Sequence, residues 1–215
     1  MILYQTELSS VSRKLRVALA LKGVEVALRV PPGGSYRSAE YRALVPVGSV
    51  PSLVDGALVL SESDAIIEYL EELYPARPLL PGTPGQRARI RMLSRLHDFR
   101  IDQPLRALYP QIRTQGRDEA VVAAAFGRLA EGLAVIAGQA DPAGPFLAGE
   151  VPTMADCAWP ANFLWMDAMS AHFGVALPVP ERLGVVRAAL AAHPVVAGAM
   201  AGYPALVSAW VAAAG

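Results

Sequence analysis

The sequence is poor in the residues that build disulfides and metal centres. It contains one cysteine, Cys157, so no disulfide can form within the chain, which predicts a reducing compartment. Its three histidines, His97, His172 and His193, are scattered, and we expect no metal site.

The chain also lacks a charge excess and long apolar runs. Lys and Arg together number 19, as do Asp and Glu, which argues against nucleic acid or an anionic membrane surface as a partner. Apolar runs such as residues 120–126 are far shorter than the roughly 18 residues that cross a membrane. The first residues lack the charged region and long apolar core of a secretory signal. We therefore expect a cytoplasmic protein.

What is present is an ordered set of strand and helix patterns in the first third of the chain. The predicted elements are a strand at residues 1–5, a helix at 8–23, an alternating strand at 24–30, an irregular helix at 36–44, two strands joined by Asp55-Gly56, and a helix at 62–74. The Asp-Gly pair is a strong hairpin signal. A strand–helix–strand unit followed by a hairpin and a helix predicts a mixed four-stranded sheet, the thioredoxin-like arrangement.

The rest of the chain is predicted to be helical. Residues 74–85 carry four prolines and two glycines, so we expect a linker there. Beyond it we predict helices at 86–115, bent or broken at Pro104 and Pro110, and at 118–140, 153–173, 184–192 and 194–214. The fold class is thus α/β plus all-α, with domains at 1–75 and 86–215 and a linker at 76–85. Thr153 and Asp156 have the spacing of a capping box and a structural role.

The first helix begins with an unusual concentration of hydroxyls. Ser9, Ser10 and Ser12 lie where a helix start leaves backbone N–H groups unpaired. Capping alone would explain one such serine. The same helix end also favours an anion such as a thiolate, to which a neighbouring hydroxyl can donate a hydrogen bond.

Several motifs together resemble those of the cytosolic glutathione transferases, and within them the zeta class, which includes maleylacetoacetate isomerases. The motifs, in chain order, are SSVSRKLRVALALKG at 9–23, VPSL at 50–53, SESDAIIEYL at 61–70, LLPGTPGQRARIR at 79–91, IDQPL at 101–105 and GEVPTMAD at 149–156. The resemblance implies a thioredoxin-like domain before a helical domain, glutathione as cosubstrate, no metal cofactor, and a homodimer.

The resemblance also implies roles for individual residues. Ser9 matches the catalytic serine that would hydrogen-bond the glutathione sulfur, with Ser10 and Ser12 as alternatives. Val50 would pair its backbone with the cysteinyl part of glutathione, and Pro51 would be cis.

The remaining implied contacts concern the ends of glutathione and the second substrate. Glu62 would take the γ-glutamyl ammonium and Ser63 the carboxylate. Arg13, Arg106 and Tyr109 are the candidates for the site of a small electrophile.

One departure from the zeta motif bears on the reaction. Val11 stands where the motif has a cysteine implicated in isomerisation, so we favour conjugation of an apolar electrophile over cis–trans isomerisation. A non-catalytic glutathione-binding module is the alternative from another class. A thiol oxidoreductase is excluded, because the first helix carries no cysteine.

Overall fold

A four-stranded sheet forms the core of the N-terminal part of the chain. In the computed structural model, which describes residues 1–214, the strands are β1 (Ile2–Tyr4), β2 (Ala27–Arg29), β3 (Ser52–Asp55) and β4 (Leu58–Ser61). Their order is β2-β1-β3-β4, with β1 parallel to β2 and the other neighbours antiparallel. This confirms the mixed sheet predicted from the sequence. Gly56 turns the hairpin at a φ of 57°, which only glycine adopts readily.

Helices pack against this sheet and make up most of the rest of the described chain. Those of the N-terminal part are α1 (Ser10–Lys22), α2 (Ala39–Leu44) and α3 (Ser63–Leu73). Those that follow are α4 (Pro84–His97), α5 (Gln103–Leu108), α6 (Glu119–Gln139), α7 (Trp159–Phe173), α8 (Glu181–Ala192), α9 (Pro194–Ala199) and α10 (Tyr203–Ala214). The arrangement is the predicted one, a thioredoxin-like unit followed by a helical bundle.

Two predicted elements of the N-terminal part leave apolar side chains exposed. The alternation over residues 24–30 gives only the three-residue strand β2, and Leu28 and Val30 are exposed. The reason is that β2 is an edge strand, bonded to β1 alone. Leu73 and Tyr74 are likewise exposed rather than sharing the buried face of Ile66, because α3 ends there.

Several predicted helices also differ in their extent. The irregular helix expected at 36–44 begins only at Ala39, after the N-cap Ser38. Helix α4 begins at Pro84, inside the predicted linker, because Thr83 caps it and proline suits a first turn. The segment at 194–214 is two helices, α9 and α10, rather than one.

Where the sequence predicted a bend or break at Pro104, the structure has a π-helical turn that ends just before this proline. Residues Asp98–Asp102 form this turn, and the N–H of Gln103 donates to the carbonyl of Asp98, five residues back. Pro104 has no N–H to donate, so the wider turn accommodates it without ending the helix. The backbone of Arg100 comes so close to Gly132 of α6 that a Cβ there would collide with it.

One helix is more apolar over its whole length than its short uninterrupted apolar runs indicate. Among residues 1–214, α6 alone is long and apolar enough to cross a membrane by length and composition. It packs against α4 and α5 in the bundle, burying Phe126, Leu129 and Leu133.

The loop before α7 is held by one buried carboxylate. Asp156 is fully buried and accepts hydrogen bonds at 2.9 Å from the N–H of Leu147, the N–H of Thr153 and the hydroxyl of Thr153. This is the capping box predicted from Thr153 and Asp156. The N–H of Met154 in turn donates to Leu79, which ties the bundle to the segment leading into α4.

We expect Asp156→Ala to lower the free energy of unfolding by about 3 kcal/mol or more, because three buried donors lose their acceptor. Urea denaturation measures this change. Asp118→Ala is the matched control, since Asp118 caps α6 in an exposed position and its loss costs about 1 kcal/mol. Equal losses in the two variants would contradict the role given to burial.

Candidate active site

The N-terminus of α1 opens into a cleft and is capped by Ser9. The Ser9 hydroxyl accepts a hydrogen bond of 3.1 Å from the N–H of Ser12, which leaves its own hydrogen free. Ser10 is buried and donates its hydroxyl hydrogen to Asp102 at 3.2 Å. Ser12 is fully buried, and its hydroxyl has no partner among residues 1–214. The three serines therefore have three different environments, and Ser9 and Ser10 alone among them line the cleft.

On one side of this helix end lies a polar cleft of about 290 Å³. Its lining residues are Val11, Ser49, Val50, Pro51, Glu62, Ser63, Arg95, Asp98, Phe99, Asp102, Gln103 and Arg106. It brings together all four residues predicted to bind glutathione. The peptide bond between Val50 and Pro51 is cis, as predicted.

Glu62 has a strained backbone at the rim of the polar cleft. Its φ is 71°, and among residues 1–214 it is the one non-glycine residue with a positive φ. Such a conformation costs about 1–3 kcal/mol and persists where the surroundings impose it. It lets the Glu62 carbonyl accept from Ile66 at 3.0 Å while Ser63 begins α3 with its N–H unpaired within the helix.

On the other side lies an aromatic cleft of about 480 Å³. Its lining residues are Thr6, Leu8, Ser9, Ser10, Tyr36, Gly48, Ser49, Val50, Arg106, Tyr109, Pro110, Trp165 and Trp210. The rings of Tyr109, Trp165 and Trp210 are mutually in contact, with centroids 4.8 to 5.8 Å apart. Ser49, Val50 and Arg106 belong to both clefts, so the two are adjacent.

The hydroxyl of Tyr109 stays protonated in this setting. It is buried and has no hydrogen-bond partner among residues 1–214. Burial, together with the nearby charge of Asp102, raises the pKa of Tyr109 well above its ordinary value. The group can therefore donate a hydrogen bond, but it cannot act as a base near neutral pH.

Asp102 lies between the two clefts and is fully engaged. One carboxylate oxygen accepts from the Ser10 hydroxyl and, at 3.3 Å, from the side-chain amide of Asn162. The other accepts from Nε of Arg106 at 2.6 Å. Asn162 also contacts Nε2 of His97 at 3.2 Å. The sequence did not reveal the roles of Asp102 and Asn162, because the motif IDQPL that contains Asp102 implied no role for a single residue, and Asn162 stands in none of the motifs.

A second buried cluster lies under α1. The ammonium of Lys14 pairs with Asp64 of α3 at 2.6 Å and with Asp98 of the π turn at 3.1 Å. Burial alone would lower the pKa of Lys14, but these two carboxylates outweigh it and raise that pKa. Burial would raise the pKa of Asp98, but the hydrogen bond with His97 and the charge of Lys14 lower it from 3.8 to about 2.

Of the predicted electrophile contacts, Arg106 and Tyr109 line the aromatic cleft, and Arg13 does not. Arg13 is buried, donates to the carbonyl of Ala199 at 2.9 Å and stacks over the ring of Tyr203. It joins α1 to the end of the bundle, so the structure gives it packing contacts in place of a ligand-facing position. Ser12 is also outside both clefts.

Comparison with known proteins agrees with this geometry. The family model described as "Glutathione S-transferase, N-terminal domain" matches residues 3–78. A maleylacetoacetate isomerase from Pseudomonas aeruginosa is 37% identical over 203 residues, which are 90% of this chain and 92% of that protein. The chain belongs to the glutathione S-transferase family.

A solved relative described as zeta class places this glutathione S-transferase in that class, and a second isomerase is also similar. A solved maleylpyruvate isomerase, described as a bacterial zeta-class glutathione S-transferase, is 33% identical with a TM-score of 0.75, covering 95% of this chain and 97% of its own. A maleylpyruvate isomerase from Ralstonia sp is 38% identical over 171 residues, 73% of this chain and 78% of that protein. The protein is thus an enzyme of this family.

A relative from another class was solved with glutathione. The theta-class glutathione S-transferase of Xanthomonas axonopodis pv. citri, with glutathione bound, is 29% identical with a TM-score of 0.75, covering 94% of this chain and 98% of its own.

The low pKa of Asp98 predicts a specific acid sensitivity. Because the pKa of the folded state lies below 3.8, the charged carboxylate stabilises the fold above that pH and loses its effect as pH falls toward 2. We expect wild type to lose about 2 kcal/mol more than Asp98→Asn over this interval. Urea unfolding at a series of pH values tests this. Asp167→Asn removes a carboxylate from an exposed ion pair with Arg187, and it should keep the wild-type pH dependence. The same slope in Asp98→Asn would contradict the assignment.

Proposed function

We propose that this enzyme binds glutathione in the polar cleft and stabilises its thiolate with the hydroxyl of Ser9. The observation that carries the proposal is the position of Ser9, at a helix N-terminus on the wall of the aromatic cleft, which adjoins the polar cleft, with a hydroxyl hydrogen that nothing in residues 1–214 accepts. A thiolate there would accept that hydrogen and face the amides of the first helical turn.

The alternatives Ser10 and Ser12 fit this role less well. The hydrogen of Ser10 is already donated to Asp102, so a bond to sulfur would require breaking a charge-assisted one. Ser12 lies outside both clefts and is fully buried.

The energy required is within reach of these groups. Lowering a thiol pKa by about two units from about 8.5 needs about 2.7 kcal/mol of preferential stabilisation of the thiolate. A charge-assisted hydrogen bond and a helix N-terminus supply contributions of that size.

The rest of glutathione would occupy the polar cleft. Val50 precedes β3, so its N–H and C=O lie outside the sheet ladder and can pair with the extended cysteinyl backbone, with Pro51 next to it. Glu62 would receive the γ-glutamyl ammonium. Ser63, at the start of α3, would bind the γ-glutamyl carboxylate through its N–H and hydroxyl.

The thiolate would then attack an electrophile in the aromatic cleft. Its largely apolar lining suits an electrophile with an apolar body, and in conjugation a carbon–sulfur bond forms while a leaving group departs or a double bond is saturated. Cis–trans isomerisation, by reversible addition of the thiolate to a double bond, is the second candidate. The similarity to the isomerases of Pseudomonas aeruginosa and Ralstonia sp favours it, and Val11 in place of the motif cysteine argues against it.

We further propose a cytoplasmic homodimer, with a first domain at 1–75, a linker from residue 76, and a helical domain that begins with α4 at Pro84 rather than at the expected residue 86. Gly215 itself lies outside the described residues. These proposals rest on the family, whose members typically have this organisation.

We expect Ser9→Ala to abolish the ionisation of bound glutathione below the pH at which the free thiol titrates. Ultraviolet difference absorbance of the thiolate against pH measures this directly. Ser10→Ala should shift the apparent pKa much less, because its hydrogen serves Asp102. A larger shift in Ser10→Ala would transfer the role to that serine. Since Ser9 also caps α1, a thermal melt of each variant separates lost ionisation from lost stability.

Different residues should govern the affinity for glutathione and the ionisation of its thiol. We expect Glu62→Gln and Ser63→Ala to weaken glutathione binding about tenfold each, because each removes a hydrogen bond to a charged group. Calorimetric titration measures the Kd, while the thiolate pKa of the bound form should remain that of wild type. Ser9→Ala should show the opposite pattern, and unchanged affinity in both cleft variants would contradict the proposed orientation of glutathione.

A further inference from the structure

The wall of the aromatic cleft carries one formal charge. Among the lining residues, which all lie within residues 1–214, Arg106 alone is charged. The same cleft is lined by the continuous aromatic surface of Tyr109, Trp165 and Trp210. A ligand in this cleft therefore meets flat rings and a single guanidinium.

Arg106 is exposed but held in a fixed orientation. Its side chain is 52% exposed, and Nε is the one nitrogen of the group that donates to another described residue, at 2.6 Å to Asp102. The terminal nitrogens, with their four N–H groups, remain for a ligand. They form the planar fork that suits a carboxylate.

Asp102 can fix the orientation of Arg106 because hydrogen bonds fix its own carboxylate. Its side chain is 12% exposed, and its other oxygen accepts from Ser10 and Asn162. Asn162 is 1% exposed and lies against His97, so this anchor is part of the packed interior. An arginine without such an anchor would lose more side-chain entropy on binding a ligand.

We infer that Arg106 binds a single anionic group on the electrophile and that Asp102 is the positioning residue that holds it there. This inference rests on the proposed function. The substrate class is a planar, unsaturated or aromatic electrophile with one carboxylate. A second carboxylate would lie against the rings without a cation, at a large desolvation cost.

Two glutathione conjugates of matched shape test the inference without turnover. S-(4-carboxybenzyl)glutathione and S-(4-nitrobenzyl)glutathione place the same ring in the aromatic cleft, one with an anionic group and one neutral. Quenching of the fluorescence of Trp165 and Trp210 reports their Kd values. We expect Arg106→Gln and Asp102→Asn each to weaken the carboxylate probe about tenfold, and the nitro probe by less than about threefold.

The controls distinguish positioning from support of the fold. Asp167→Asn removes a carboxylate from another Asp–Arg pair, outside both clefts, and should change neither Kd. The double variant Asp102→Asn/Arg106→Gln should bind the carboxylate probe no more weakly than Arg106→Gln alone, because Asp102 acts through Arg106. Arg106→Lys should restore part of the selectivity.

Each outcome that contradicts the inference would overturn a different part of it. If Asp102→Asn weakens both probes equally, its role is structural, and the positioning assignment is overturned. If Arg106→Gln leaves the carboxylate probe unaffected, or if a dicarboxylate probe binds wild type more tightly than the monocarboxylate, the substrate class is overturned, although glutathione still binds. If glutathione itself does not bind to wild type, the proposed function fails and this inference fails with it.

Discussion

The ion cluster around Lys14 joins the two parts of the chain beneath the helix that faces the clefts. Its ammonium, buried on α1, contacts carboxylates that belong to α3 and to the π turn after α4. Ser94 of α4 also donates to Asp64 at 3.0 Å. Leaving such charges buried without partners would cost several kcal/mol, so the three segments hold a common geometry. The N-terminus of α1 is therefore fixed relative to both clefts.

A second polar cluster extends this constraint to the cleft surface. His97, the last residue of α4, contacts Asp98, the first residue of the π turn. Through Asn162, His97 connects to Asp102 and then to Ser10 and Arg106. Interior side chains thus determine the orientations of the Ser10 hydroxyl and of the Arg106 guanidinium at the cleft surface. Hydrogen bonds are strong in a medium of low dielectric, so this network favours a preorganised site over one formed on binding, even though Oδ1 of Asn162 has no partner among residues 1–214.

The sequence predicted the parts of the fold that depend on local patterns. The hairpin at Gly56, the cap at Ser9 and the capping box at Asp156 each follow from residues close in the chain. It could not reveal contacts between residues far apart. Asp102 and Ser10 are 92 positions apart, and Arg13 meets Ala199 across 186. For that reason Arg13 was predicted to face a ligand, and Asp102 was not considered.

The π turn at Asp98–Asp102 has a consequence for how this site can change. A π turn contains one more residue than the α-helical turn it replaces, and the wider turn takes up the extra residue locally. Closing the turn to α geometry would press the ring of Pro104 against the carbonyl of Arg100, four residues back. Residues of this turn line the polar cleft, and Arg106, one helical turn further on, lines both clefts. A codon lost at this point would therefore alter both clefts at once, so neither half of the site can evolve here independently of the other.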